Sequence, residues 1–209
     1  MNRCLLISGG VDSIALAYWL RPEYALTVDY GQKAALAEVD AAREVCAMLS
    51  IPHQVVSVDY SDLGIGSMAP HGKEVRREDG FCAPSPEWWP FRNQHLVTIA
   101  ASKCILSGCS EVILGTVKSD QVSHLDGTEE FVRKLSDLLS IQEGGIRLVA
   151  PAISMSSSEL VLVSKVPMSV LRWAHSCHQA NNPCCACRGC VKYFEVMETV
   201  AAVTHQTVA

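Results

Sequence analysis

The chain has 209 residues, 49% of them hydrophobic, and a net charge of −5. That length suits one domain with a full core, and the apolar content argues against disorder. The negative balance argues against a general binder of nucleic acid or of anionic membranes.

No apolar run reaches membrane-spanning length, and the first one is too short for a signal peptide, so a cytoplasmic protein is expected. That first run, Cys4-Leu5-Leu6-Ile7, reads as a strand over residues 3–8. Ile14 to Leu20 carries apolar residues on a helical repeat and predicts a helix over 11–20. Between them stands Ser8-Gly9-Gly10-Val11-Asp12-Ser13. A strand that enters a glycine turn and leaves as a helix presents backbone N–H groups to an anion, and the helix N-terminus adds partial positive charge. Ser8 and Ser13 add hydroxyls, and the Asp12 carboxylate can hold a magnesium ion or a water. The loop lacks the lysine of a Walker A motif and the third glycine of a dinucleotide fingerprint.

Further strands are expected at 24–29, 53–59, 111–116 and 146–150. Further helices are expected at 33–49, 93–107, 128–141, 157–164 and 188–201. Strands alternating with helices predict an α/β fold: one doubly wound, mostly parallel five-stranded sheet, as a single domain over 1–209. Ligands of such sheets bind beyond the carboxyl ends of the strands. The Ser8–Ser13 loop, Asp29-Tyr30-Gly31-Gln32 and Gly115-Thr116 all fall at such ends, which points to one shared site. Residues 60–92 are rich in glycine and proline, carry a charged stretch over 73–79 and lack a period. They read either as a flexible lid or as a solvated excursion. Ser156 and Glu159 have the spacing of a capping box at the start of the 157–164 helix.

Ten cysteines are unevenly placed. Cys4, Cys46, Cys82, Cys104 and Cys109 are scattered, mostly in apolar surroundings, as small hydrophobes would be. The other five crowd into 177–190. There Cys184, Cys187 and Cys190 form a Cys-x2-Cys-x2-Cys run behind Cys177. Four such thiolates can close a tetrahedron around zinc, giving a small C-terminal zinc-bound segment. Cys185 could replace Cys184 as a ligand, and His178 is a weaker competitor because it adjoins Cys177.

The Ser8–Ser13 loop resembles the PP-loop of ATP pyrophosphatases, which cut ATP between its α and β phosphates. With Asp29-Tyr30-Gly31-Gln32-Lys33 after the second strand, Pro90-Phe91-Arg92-Asn93 opening a helix, and four late cysteines, nearly the whole chain resembles QueC, the 7-cyano-7-deazaguanine synthase family. The resemblance implies an enzyme that uses ATP and magnesium to adenylate 7-carboxy-7-deazaguanine. Ammonia then gives an amide, and a second activation gives the nitrile. It also implies a homodimer. Ser8, Asp12, Ser13 and Arg92 would be catalytic, and Gly9, Gly10, Val11 and Gly115 would join Ser8, Asp12 and Ser13 in holding ATP. Arg92 reads equally as a surface arginine. Asp120 or Asp126, with Asn93, would meet the purine-like base, and Asp126 carries the better match.

The chain departs from that pattern in places. Ala34 stands where a histidine is usual, Gly127-Thr128 where Cys-Arg is usual, and Ser154 to Glu159 where a lysine is usual. The activation half is kept and the acceptor half is altered. A second expectation therefore keeps adenylation and passes the acyl group to the N-terminal amine of a partner protein, as resembling proteins of anti-phage systems do. A tRNA-thiolating enzyme of the same superfamily and a non-catalytic zinc-bearing interaction domain are the remaining alternatives.

Overall fold

The computed structural model describes residues 2–72 and 78–206. Part of the charged stretch, 73–77, lies outside them. Five strands, β1 (Arg3–Leu6), β2 (Tyr24–Asp29), β3 (His53–Ser57), β4 (Glu111–Ile113) and β5 (Arg147–Val149), form one sheet in the order β3-β2-β1-β4-β5. Every neighbouring pair is parallel. The seven α-helices of the described residues are α1 (Val11–Leu20), α2 (Ala35–Leu49), α3 (Arg92–Ser107), α4 (Glu129–Ser140), α5 (Ser157–Ser164), α6 (Met168–Leu171) and α7 (Arg188–Gln206).

The period of two along each strand sorts side chains between two cores. On one face Leu5, Ile7 and Ala25 pack with α1, α2, α5, α6 and α7, through residues such as Ile14, Val45, Leu160, Leu171 and Val196. On the other, Cys4, Leu26 and Val28 pack with α3 and α4, through Val97, Ala100, Leu135 and Leu139. Burial on both faces explains why the strands read as continuous apolar runs. The sheet is thus doubly wound, and wholly rather than mostly parallel.

All five expected strands form, several of them shorter than their apolar runs. Ile7, Val58 and Leu114 still bond to the neighbouring strand, at 2.8 to 2.9 Å, but the backbone is already leaving for the loops that carry the polar residues. All six expected helices form, and α1 and α5 match at both ends. The capping box of α5 is closed both ways: Glu159 N donates to Ser156 Oγ (3.2 Å), and Ser156 N donates to Glu159 Oε2 (2.7 Å). α6 is unforeseen, since four residues after Pro167 hold no readable period.

The segment over 60–92 has anchored shoulders. Met68, Ala69 and Trp89 are buried in the core against α3. Ser67 N donates to Pro86 O at 2.7 Å, so the two arms of the excursion pair with each other. Tyr30 meets Trp89 edge-on at 4.9 Å.

Candidate active site

Strand order turns between β1 and β4, so their following loops diverge and leave a crevice. A cavity of about 250 Å³ lies there. Its floor is the loop after β1. Gly9 takes φ +74°, and an added Cβ would lie 2.5 Å from Glu38 O. Only glycine fits that turn against α2. Gly10 is the N-cap of α1. Ser13 Oγ donates to Gly10 O (2.9 Å) and lies 3.3 Å from Ser8 Oγ, which accepts from Gly10 N at 3.3 Å. The loop is strapped to the segment before α7: His175 N donates to Gly9 O (2.9 Å), and Val11 N donates to Ser176 Oγ (3.3 Å).

Charge converges on the walls. Lys192, on the first turns of α7, places Nζ 2.6 Å from Asp12 Oδ2 and 3.3 Å from Asp120 Oδ1. Burial alone would lower the Lys192 pKa, but Asp12 and Asp120 outweigh it and hold it above the usual lysine range. Asp12 Oδ1 is buried and has no hydrogen-bond partner among the described residues, an orphaned acceptor of the kind that meets a bound cation. Arg92 is deeply placed, with its guanidinium 3.2 Å from Met68 Sδ. Burial works against its charge, yet Tyr30, Asp126 and Glu38 keep it firmly protonated. Glu38 accepts from Gln32 Nε2 at 2.8 Å, and burial pushes its carboxyl up to about 7. Glu87 goes the other way. A hydrogen bond from His124 and the nearby Arg188, 3.3 Å away, hold it down to about 2.

Most of the expected residues come together. Ser8, Gly10, Val11, Asp12 and Ser13 line the cavity, as do Gly115, Asp120, Arg92 and Asn93. Gly9 forms the turn behind them. Arg92 faces the cavity rather than the surface. Asp126 does not line it: its Oδ2 accepts from Asn93 N (3.2 Å), and its carbonyl accepts from Asn93 Nδ2 (2.9 Å), which fixes the start of α3. Asp120 is the cavity-facing member of the pair, with Oδ2 also taking Val117 N at 3.1 Å. The sequence reading missed Glu38, Glu87, Arg188 and Lys192. Arg188 and Lys192 left a signal: two cations four positions apart around Cys190, the spacing of one helix face.

Beside the cavity, the sulfurs of Cys177, Cys184, Cys187 and Cys190 all lie within 4.8 Å of one another. Cys184 and Cys190 are 3.9 Å apart and Cys187 and Cys177 are 4.0 Å apart. Zinc–sulfur bonds of about 2.3 Å set tetrahedral sulfurs roughly 3.8 Å apart, so the cluster could hold zinc. Amide donors already face the sulfurs: His178 N to Cys187, Gln179 N to Cys177 and Cys187 N to Cys184, at 3.3 to 3.5 Å. N–H groups of Ala186 and Cys187 bring the Cys184 thiol down to about 6, while burial pushes that of Cys190 up to about 12. Cys185 takes φ +59° and directs its sulfur to Pro183 O, outside the cluster. The group of four close sulfurs therefore includes Cys184 and leaves Cys185 outside. Gly189 has no room for a side chain, since a Cβ would meet Ser176 O at 1.8 Å.

The family described as "Queuosine biosynthesis protein QueC" matches residues 3–199. Among curated relatives, the 7-cyano-7-deazaguanine synthase of Methanosarcina mazei is 26% identical, over 96% of this chain and 95% of its own. That of Methanosarcina barkeri is 28% identical over 92% and 91%, and that of Desulforudis audaxviator 29% identical over 91% and 93%. No helix of the described residues is long and apolar enough to cross a membrane.

Proposed function

The chain belongs to the QueC family, and from that premise we propose that it is an ATP-dependent carbon–nitrogen ligase acting on 7-carboxy-7-deazaguanine. The observation that carries this reading is the Ser8–Ser13 loop at the N-terminus of α1, opening into the same cavity as Arg92 and Lys192. Donors and cations gathered there suit a reaction in which charge grows on a leaving pyrophosphate.

The substrate carboxylate oxygen attacks the α-phosphorus of ATP, the bond to the β-phosphate oxygen breaks, and pyrophosphate leaves with the electron pair. Donors of the Ser8–Ser13 loop would hold that group, with Arg92 as a clamp. Magnesium, when bound, would neutralise phosphate charge, and Asp12 Oδ1 is the free acceptor to meet it. Ammonia then attacks the acyl carbon of the mixed anhydride and AMP leaves, giving the amide. In a second round the amide oxygen attacks the α-phosphorus of a second ATP and pyrophosphate leaves, and loss of AMP and the two amide protons gives the nitrile. Asp120 and Asn93 form the wall that the deazaguanine N–H groups would meet.

One observation favours a second amine. Phe91 and Leu125 are 68% and 85% exposed, and they stand next in sequence to Arg92, which lines the cavity, and to Asp126, which fixes the start of α3. A polypeptide arriving with its N-terminal amine would cover them. The test is mass spectrometry of the protein with ATP, magnesium and 7-carboxy-7-deazaguanine, in parallel with ammonium and with a peptide bearing a free N-terminus. Free nitrile with ammonium supports the synthase. Adenylate or amide without nitrile, together with a mass gain on the peptide, supports conjugation. No AMP in either tube overturns both.

A further inference from the structure

Lys192 is a cavity-lining cation that joins the two loops flanking the crevice. Its Nζ touches Asp12 from the loop after β1 and Asp120 from the loop after β4. Nothing in the sequence motifs of the reaction calls for a lysine there. We propose that Lys192 is a catalytic residue of the activation step, whose ammonium contacts the phosphate oxygens of the bound nucleotide. The inference rests on the adenylating reading above.

The first argument is charge. Four carboxylates, Asp12, Glu38, Glu87 and Asp120, line the cavity with the cations Arg92, Arg188 and Lys192. Arg188 is taken by Glu87, at 3.3 Å, and by Ser119 O, at 3.1 Å. Arg92 sits among Tyr30, Glu38 and Asp126. Among the described residues, Lys192 is the cation in ion-pair contact with both Asp12 and Asp120, while Arg92 faces Asp120 from further off. Without Lys192, both carboxylates would lose their contacting cation beside the loop that must take a polyphosphate, and like charges in a half-buried crevice repel strongly.

The second argument is placement. Lys192 lines the cavity, and its side chain is 24% exposed. Its backbone is fixed close by: Cys190, two residues earlier, belongs to the four-sulfur cluster, and Gly189 is clamped between Ser176 O and the His178 ring. The helix start therefore delivers the ammonium to one place. The third argument is chemistry. An ammonium has three N–H donors on a flexible stem. It can keep Asp12 and turn from Asp120 to a phosphate oxygen, leaving Asp120 free to accept from the base.

The test compares wild type, Lys192→Met and Lys192→Arg as full-length, metal-loaded proteins. Pyrophosphate release is followed with 7-carboxy-7-deazaguanine, and α,β-methylene-ATP is titrated by calorimetry. Lys192→Met is expected to lose about 10²-fold in kcat/KM, with the KM for ATP raised about tenfold. It should bind the analogue about tenfold more weakly, with a shallower salt dependence. Lys192→Arg, which keeps the charge, should recover most of the binding. Zinc content and Tm should stay at wild-type values. Unchanged analogue affinity in Lys192→Met overturns the inference, as does a loss that tracks Tm or zinc content. Should the Met variant not fold, Lys192→Gln enters the same titration. If wild type releases no pyrophosphate, the adenylating reading fails. The analogue titration then decides separately: tenfold weaker binding upholds the lysine contact, and equal binding removes it.

Discussion

Glu38 is a carboxyl group that the fold takes out of water and does not fully compensate. Its partners are Gln32 Nε2 at 2.8 Å and the nearby Arg92, yet burial dominates and sets its pKa at about 7, against 4.5 when exposed. The folded state therefore prefers the protonated form. That preference is complete below about pH 4.5 and is lost as pH rises through about 7. Glu38→Gln keeps an acceptor for Gln32 and removes the ionisation. It should flatten the fall in stability between those limits, and above pH 7 it should gain on the order of 2 kcal/mol over wild type. Urea unfolding at pH 5 and pH 8 reads this directly, and parallel pH profiles would sink it. Glu38 also shows which residues a sequence hides. Ser8 to Ser13 were legible because a glycine turn and a helix start are local. Glu38 sits on an ordinary amphipathic helix, and its raised pKa comes from burial under other elements, against the pull of Gln32 and Arg92.

At the scale of elements, the start of α7 does two jobs. Cys187 and Cys190 belong to the sulfur cluster, and Arg188 and Lys192, interleaved with them, face the cavity. Spacing revealed the first job because metal ligands obey a local rule. The second was half-written in the four-residue step from Arg188 to Lys192, but only the packed helix says which way that face points. The 60–92 segment was opaque for the same reason. Its glycines and prolines announce a loop, while the burial of Met68 and Trp89 depends on α3 standing beside them. The double role predicts coupled losses. Wild type should carry about one zinc per chain by plasma mass spectrometry, and Cys187→Ser close to none. A loss of about 2–3 kcal/mol should lower Tm by roughly 5–10 °C. Nucleotide binding should vanish while circular dichroism still reports the sheet, because Arg188 and Lys192 lose their anchor. Cys185→Ser, whose sulfur faces Pro183 O, should change none of these. Equal effects of the two substitutions would rule the cluster out as the anchor.

Across the whole molecule, chain segments far apart in sequence meet at Gly9. The residue follows the central strand β1, its carbonyl accepts from His175 N at 2.9 Å, and its Cα lies against Glu38 O of α2. The alternation of strands and helices was enough to read the sheet and the crevice beyond β1 and β4, because parallel order and a buried sheet leave few topologies. It could not show that the segment before α7 returns over the loop, since that depends on the closing of the cysteine cluster. The convergence makes Gly9 a sharper test of the architecture than any core side chain. Gly9→Ala must hold φ +74° with a Cβ 2.5 Å from a backbone oxygen, so α2 or the loop has to move. The left-handed residue alone costs about 1–3 kcal/mol, and the clash adds to it. Gly10→Ala is the matched control. Gly10 has φ −76° and ψ 162°, and its nearest neighbour to an added Cβ is Ser8 Oγ at 3.4 Å. Its cost should stay below about 1 kcal/mol, the usual range for a surface change without strain. Urea unfolding and pyrophosphate release, both measured where each variant remains folded, should separate the two. Gly9→Ala should lose stability and activity together, because displacing the turn moves the N-terminus of α1 away from the phosphates. Equal tolerance at both glycines would mean that the loop is not wedged between α2 and the segment before α7.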